Sequence, residues 1–406
     1  IDYKPALSEL ASRCKLVLSS VVVIGLIASI FYSDYAAVGR NNKPLIGYIT
    51  PYKMIDGAVK YVKNTYLYPA LPFTQLDPAP IITRFNPKKH VTVMVLGETA
   101  RAQNFSYNGY GQNTNQFTTN ENMISFSDMH SCGTATAVSV PCMFSRLNHA
   151  DFDHRQANAQ QNVIDVIAAA GADVLWISNN NGRCKGVCAR VPSLQITPDS
   201  SNPLCDGEFC FDEVLLAPLN DKLSNLTHDN TFIVLHMIGS HGPTYFKRYP
   251  QDKRTFTPDC PRSDIQNCTD EALINTYDNT IAYTDYVLNE VIALLKQSAV
   301  AAELNTSLLY ISDHGESLGE SGIYLHGLPY SFAPDSQTHV PMLVWADNET
   351  TDLDLGCIAQ AKRTRMSHDN VFDILLGMMS VTSVSYDQNN DPFASCHLSA
   401  IVAQQF

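Results

Sequence analysis

Five short apolar runs, separated by stretches of helical pattern, restrict this chain more than any other feature. Residues 91–97, 173–178, 231–237, 307–312 and 340–346 are rich in Val, Ile, Leu and Met. A strand can be apolar on both sides only where both faces of its sheet are covered. Between the runs, residues 162–170 and 211–223 repeat apolar positions at helical spacing. The longest such stretch is 271–296, where Leu273, Tyr277, Ile281, Thr284, Leu288, Val291 and Leu295 share one face. This alternation predicts an α/β fold with a largely parallel central sheet between helical layers. The 406 residues suffice for one large domain of this kind or two smaller ones. There is no internal repeat.

Ahead of that body, residues 16–32 carry no charge, and Lys4, Arg13 and Lys15 precede them. An uncharged apolar run with a basic flank predicts a transmembrane helix entering from the cytoplasmic side. A signal peptide would start at Met and end in a small-x-small site; this chain starts at Ile1. The expectation is a fragment whose upstream membrane helices are missing. Tyr48, Tyr52, Ile55, Val59, Val62 and Tyr66 then recur at helical spacing with Lys53, Lys60 and Lys63 among them. That mixture suits a helix lying in a membrane interface, with a core-packed connecting helix as the alternative. Pro69, Pro72, Pro78 and Pro80 mark an extended linker. The layout expected is a transmembrane helix over 1–33, an interfacial linker over 34–90 and a catalytic domain over 91–406.

Charge follows the same division. Residues 1–66 hold eight Lys/Arg against four Asp/Glu, and the remainder holds 19 against 36. A basic front and an acidic body fit a membrane-proximal start and exclude a nucleic-acid binder, which needs a basic face on its body. Eleven cysteines are too many for free thiols in an ordinary cytosolic enzyme. Cys132/Cys142, Cys184/Cys188, Cys205/Cys210 and Cys260/Cys268 are close in sequence, Cys357/Cys396 remain as a distant pair, and Cys14 is left beside the apolar run. Five disulfides in an oxidising compartment is the reading preferred over thiols or metal ligands, and a zinc ribbon lacks its two CxxC units.

In parallel sheets, ligands bind at the carboxyl ends of the strands. The first run ends at Gly97-Glu98-Thr99, the fourth at Asp313-His314-Gly315-Glu316, and the third runs into Gly239-Ser240-His241-Gly242-Pro243. Glu98, Asp313 and His314 are a donor set suited to Zn²⁺ with an open position. Small residues from Ser131 to Ala135 lead to Thr136 at the start of a helix, with Cys132 and Cys142 at the ends of the segment. Thr136 in the open position gains the activation a threonine hydroxyl lacks at neutral pH. His241 and His326 are candidates for a second metal or a phosphate. Each feature alone has a plainer reading: an N-cap, a capping aspartate in a turn, a loop histidine. His236, inside its run, reads as a core histidine.

Gly97-Glu98-Thr99-Ala100-Arg101, Ser131-Cys132-Gly133-Thr134 through Pro141-Cys142, Gly239-Ser240-His241-Gly242-Pro243 and Asp313-His314-Gly315-Glu316 resemble, in order and spacing, the motif set of bacterial lipid A phosphoethanolamine transferases. These enzymes belong to the alkaline phosphatase superfamily and include the mobile colistin-resistance group. Arg40-Asn41-Asn42-Lys43-Pro44 resembles the exit of their last of five membrane helices. The resemblance implies an alkaline-phosphatase/sulfatase-like sandwich in the periplasm, anchored in the inner membrane, with Glu98, Thr136, Asp313 and His314 around one zinc ion. It further implies Thr136 as nucleophile, and Thr134, Lys185, His241 and His326 around the phosphoethanolamine. The paired cysteines match the family's disulfides.

The mechanism implied is ping-pong: phosphatidylethanolamine gives phosphoethanolamine to Thr136, and a lipid A phosphate then takes it. The added amine offsets negative charge on lipid A and so weakens polymyxin binding. A monomer acting on two lipids is expected. The alternatives are a phosphodiesterase of the same superfamily and a non-catalytic zinc or lipid-binding module. A sulfatase would need Cys-x-Pro-x-Arg, and Cys142-Met143-Phe144-Ser145-Arg146 lacks the proline.

Overall fold

The computed structural model describes residues 4–31, 45–48, 50–68, 70–84, 86–347 and 352–397. The Arg40–Pro44 motif lies outside them. The chain divides into two compact units, 1–69 and 70–406, so the boundary falls inside the segment 34–90.

In the first unit, helix α1 (Lys4–Ile30) has 27 residues, about 40 Å at 1.5 Å per residue. Its Ser8–Ile30 stretch is long and apolar enough to cross a membrane. Leu16, Val17, Leu18, Ile24 and Leu26 are all exposed, as a lipid-facing surface requires. Helix α2 (Tyr52–Val62) exposes Met54, Ile55, Val59, Tyr61 and Val62, while Lys60 reaches Asp56 one turn back at 3.0 Å. No residue of α2 is buried.

The second unit is built on an eight-stranded sheet. Its strands in chain order are β1 (His90–Gly97), β2 (Ile124–His130), β3 (Asp173–Ser178), β4 (Ser193–Gln195), β5 (Asn230–His236), β6 (Asn305–Ser312), β7 (His339–Ala346) and β8 (Met366–Ser367). They lie in the order β8-β2-β7-β6-β1-β5-β3-β4. Only β7 runs antiparallel to its neighbours β2 and β6; the other pairs are parallel. The sheet is thus largely parallel, as the apolar runs predict, and all of β1 and β6 is buried.

Alternate residues of β1 feed two separate cores. Val91, Val93 and Val95 pack with Ile281, Leu288, Val291 and Leu295 of the 33-residue helix α6 (Asp270–Ala302) and with α5 (Leu216–Ser224). Met94 and Leu96 pack against α3 (Thr136–Met143), α4 (Val163–Ala169) and α7 (Val371–Met378) through Val140, Phe144, Ile167, Phe372 and Leu375. Truncating any of these leucines to Ala removes about 2–5 kcal/mol, because packed neighbours on both sides cannot close the hole. Helix starts are fixed locally: Asn162 and Asp165 form a reciprocal capping box on α4, and the Thr269 hydroxyl caps α6.

Two elements were not among the predicted strands and helices. Strand β2 (Ile-Ser-Phe-Ser-Asp-Met-His) buries Ile124, Phe126 and Met129 between more open polar residues, with the alternation broken at Asp128. It pairs with β7 and the two-residue β8, so only part of its polar face needs cover. Helix α7 follows a Ser367–Asn370 capping box that short-range reading passes over. Disulfides join Cys132–Cys142, Cys184–Cys188, Cys205–Cys210, Cys260–Cys268 and Cys357–Cys396. Cys14 is free and exposed on α1.

Candidate active site

Strands β1 and β6 pair in register, Gly97 opposite Ser312, so Glu98 and Asp313 leave the sheet side by side. The chain turns sharply there. Thr99 sits at φ 61°, a region that β-branched residues avoid. Its N–H donates to Asp313 Oδ1 at 3.1 Å and its hydroxyl to Glu98 Oε1 at 2.7 Å, which holds it in place. The loop after β5 closes over the same point. Ser240 N–H donates to Glu98 O at 2.9 Å, and a Cβ on Gly239 would lie 2.7 Å from that oxygen, so only glycine fits.

Helix α3 brings Thr136 to this edge as its first residue, with Ala135 extended before it. Thr136 Oγ1 lies 3.0 and 3.1 Å from the two oxygens of Glu98 and 3.4 Å from His314 Nε2. His314 Nε2 lies 3.4 Å from Glu98 Oε1 and 3.5 Å from Asp313 Oδ2. One ligand atom each from Glu98, Asp313 and His314 falls within a 4.8 Å span, and all three residues are buried. The structure therefore brings Glu98, Thr136, Asp313 and His314 together.

Burial and mutual charge set the electrostatics of this group. Burial works to raise the Glu98 carboxyl, but the hydrogen bond and charge of His314 hold it well below the usual range. Burial and the Glu98 charge push Asp313 up. Burial opposes a charge on His314, yet Asp313 and Glu98 raise its pKa overall. Asp313 Oδ2 has no hydrogen-bond partner, a costly state for a buried carboxylate oxygen. His314 Nδ1 lies 2.9 Å from Gly315 O, so Nδ1 carries a hydrogen and Nε2 is the nitrogen that faces the carboxylates and is open to a ligand role. Two carboxylates, one oriented imidazole and a hydroxyl fit Zn²⁺ in chemistry and number.

The remaining sequence-derived residues are placed as follows. The His326 ring lies 4.3 Å from His314 and 5.9 Å from His241, centroid to centroid. Burial pulls His241 down to about 4. The Thr134 hydroxyl donates to Leu328 O at 2.6 Å, joining the loop before α3 to the His326 segment. Lys185, inside the Cys184–Cys188 loop, borders Gly182 together with Asn180 Oδ1 and has no ion-pair partner among the described residues. His236 is buried against Trp176, as a core residue.

Sequence reading missed two partners. Asn180 Nδ2 donates to Glu98 Oε2 at 2.7 Å and to Met237 O at 3.2 Å, tying three strand ends together. Its place two residues past β3 obeys the strand-end rule, but Asn179-Asn180-Asn181 reads as an ordinary turn. Fully buried Glu316 accepts from Tyr245 OH at 2.9 Å and lies 3.1 Å from His326 Nδ1.

Comparison with known proteins accounts for both units. The sulfatase family profile matches residues 90–381, and that of phosphoethanolamine transferases EptA/EptB matches residues 1–66. Phosphoethanolamine transferase EptA of Escherichia coli K12 is 44% identical over 98% of this chain and 73% of its own length. Phosphatidylethanolamine transferase Mcr-1 of Escherichia coli is 36% identical over 94% of this chain and 71% of its own. The integral membrane lipooligosaccharide phosphoethanolamine transferase A of Neisseria meningitidis superposes with a TM-score of 0.80 at 38% identity, covering 96% of this chain and 73% of that one. With the sulfatase fold behind a membrane helix, the chain belongs to the phosphoethanolamine transferases of the alkaline phosphatase superfamily, inner-membrane enzymes whose catalytic domain stands in the periplasm.

Proposed function

We propose that this chain moves phosphoethanolamine from phosphatidylethanolamine to a phosphate of lipid A through a covalent intermediate on Thr136, and so confers polymyxin resistance. The observation that carries the reading is the Thr136 hydroxyl within 3.1 Å of both Glu98 oxygens, beside His314. Residues 1–33 anchor the enzyme, 34–90 link, and 91–406 catalyse. Glu98, Thr136, Asp313 and His314 would hold one zinc ion, with His241 and His326 candidates for a second. Zinc bound there lowers the pKa of the threonine hydroxyl and offsets charge on the phosphoryl oxygens.

The chain's own residues do the rest. Glu98 accepts the Thr136 hydrogen bond and is the base nearest to its proton. Thr136 Oγ1 forms a bond to phosphorus as the bond from phosphorus to the diacylglycerol oxygen breaks. The leaving oxygen needs a proton. Glu316 accepts from His326 Nδ1, so Nε2 is the atom through which the imidazolium form would pass a proton to that oxygen, whereas His241 has lost basicity to burial. Lys185 and the free N–H groups of the first turn of α3 stabilise the equatorial oxygens, and Thr134 borders the same pocket. In the second half-reaction a lipid A phosphate oxygen attacks the same phosphorus and Thr136 recovers its proton. The sulfatase profile does not extend to sulfatase chemistry, because the nucleophile position holds Thr136 and Cys142 is tied to Cys132.

The test is mass spectrometry of the zinc-loaded chain after incubation with phosphatidylethanolamine. A phosphoethanolamine adduct on Thr136, transferred on adding lipid A, is expected; an adduct on another residue, or release to water alone, overturns the reading.

A further inference from the structure

Between the nucleophile helix and the metal-bearing strand stands a histidine with no part in the mechanism above. His368 opens the segment that leads into α7 and is 1% exposed. Its Nδ1 accepts the Cys132 N–H at 3.1 Å and lies 3.1 Å from Ser139 Oγ. Its Nε2 lies 3.1 Å from Ser312 O, so the hydrogen is on Nε2. Burial pulls its pKa down to about 3, which keeps the ring in this neutral form. The Ser139 hydroxyl donates to Asp313 O and packs against His368 Nδ1, whose lone pair takes the Cys132 N–H.

These contacts have a direction. Cys132 lies four residues before Thr136, and Ser139 one turn after it on the same helix. Ser312 and Asp313 are the last residue of β6 and the first beyond it. No other side chain described touches both segments by hydrogen bonds on both ring nitrogens.

We propose that His368, with Ser139, is the positioning residue that sets the distance between the Thr136 hydroxyl and Asp313-His314. A strut of this kind acts on the attack distance more than on substrate affinity, because misplacing a reacting atom by about 1 Å lowers rate by about 100-fold. It rests on Thr136 being the nucleophile.

The experiment compares the full chain with His368→Phe, which keeps a ring and loses both nitrogens, His368→Asn, which keeps an acceptor near Nδ1, Ser139→Ala, and the double variant Ser139→Ala/His368→Phe. Single-turnover formation of the Thr136 adduct should fall about 10- to 100-fold in His368→Phe with KM within twofold. His368→Asn should recover part of that loss. The double variant should be no slower than His368→Phe alone, because one strut is broken once; two packing defects would instead multiply. A readout apart from turnover is amide hydrogen exchange at Cys132 in the zinc-free chain, which should speed up at least tenfold in His368→Phe. Should His368→Phe fail to fold, His368→Asn and Ser139→Ala carry the same comparison.

Unchanged adduct formation in folded His368→Phe, or multiplicative losses in the double variant, overturns the proposal. In the pair without Phe, unchanged rates in both variants do so. Absence of a Thr136 adduct in the unaltered chain overturns the nucleophile assignment instead.

Discussion

The two ends of strand β1 carry similar chemistry and settle it in opposite ways. At the amino end, His90 Nδ1 accepts from Arg84 at 2.8 Å, and Arg84 faces Asp352 at 3.6 Å. Asn305 closes the set: its oxygen, otherwise unpartnered, belongs on the His90 Nε2–H, where its amide lies at 2.9 Å. One carboxylate meets one guanidinium, and the charges balance within the chain. At the carboxyl end, Glu98 and Asp313 face one imidazole, and no Lys or Arg hydrogen-bonds to either carboxylate among the described residues. Burial is deeper at the carboxyl end, where Glu98, Asp313 and His314 are shut off from solvent, than at the amino end, where Asp352 is partly exposed, so the excess charge sits where it costs most. One end draws its counter-charge from the chain, and the other holds two carboxylates against a single imidazole.

That contrast is most sharply tested at the hydroxyl. Thr136→Ala should remove transfer by at least about 10³-fold, the scale on which loss of a covalent nucleophile is felt, with the fold intact by circular dichroism. Arg84→Lys at the far end should leave the rate within about twofold. Lipid transfer assays on both variants check the pair, and an active Thr136→Ala enzyme would erase the functional distinction between the ends.

Metal removal comes next. A ligand that binds only the folded state adds about 2.7 kcal/mol at 100 times its Kd. Chelation should therefore lower the Tm by a few degrees, and zinc should restore it. In Asp313→Asn the chelator should have no effect on Tm, while the metal-free protein becomes more stable than the parent because one buried negative charge has gone. Calorimetry with and without chelator checks both. If Asp352→Asn abolished the chelator response instead, the two ends would have been assigned the wrong way round.

At the amino end the same type of change should go the other way. Asp352→Asn leaves the buried Arg84 guanidinium without its counter-charge and should destabilise by roughly 1–3 kcal/mol, with kcat unchanged. Urea denaturation supplies the number.

How much of this was legible in the sequence differs between the ends for a physical reason. The carboxyl end announces itself because strand ends there run straight into Glu98, Asp313-His314 and His241, within a few residues of an apolar run. The amino-end set is scattered, with Arg84 before β1, Asn305 opening β6 and Asp352 in a loop, and no local pattern joins them. The same limit hid Asn180, Glu316 and His368, whose partners lie 82, 10 and 236 residues away. Strands β1, β3, β5, β6 and β7 were readable because both faces are buried. Strand β2 was not, since its period-two alternation is broken by Asp128 and its apolar residues are spread over seven positions.

The smallest effect is the pH response of the amino end. Burial, with the Arg84 charge behind it, pulls His90 down to about 3 from an ordinary 6.5. The folded chain then binds fewer protons at His90 than the unfolded chain between those values. The stability this adds is complete above pH 6.5 and is lost as pH falls toward 3. Burial raises Asp352, which acts with the opposite sign, so the informative quantity is the difference between parent and His90→Gln. That difference should favour the parent at pH 7 and shrink steadily toward pH 4 in urea titrations at each pH. A constant difference would mean that His90 takes up its proton in the folded chain as readily as in the unfolded one. The amino end would then share the open charge balance assigned here to the carboxyl end alone.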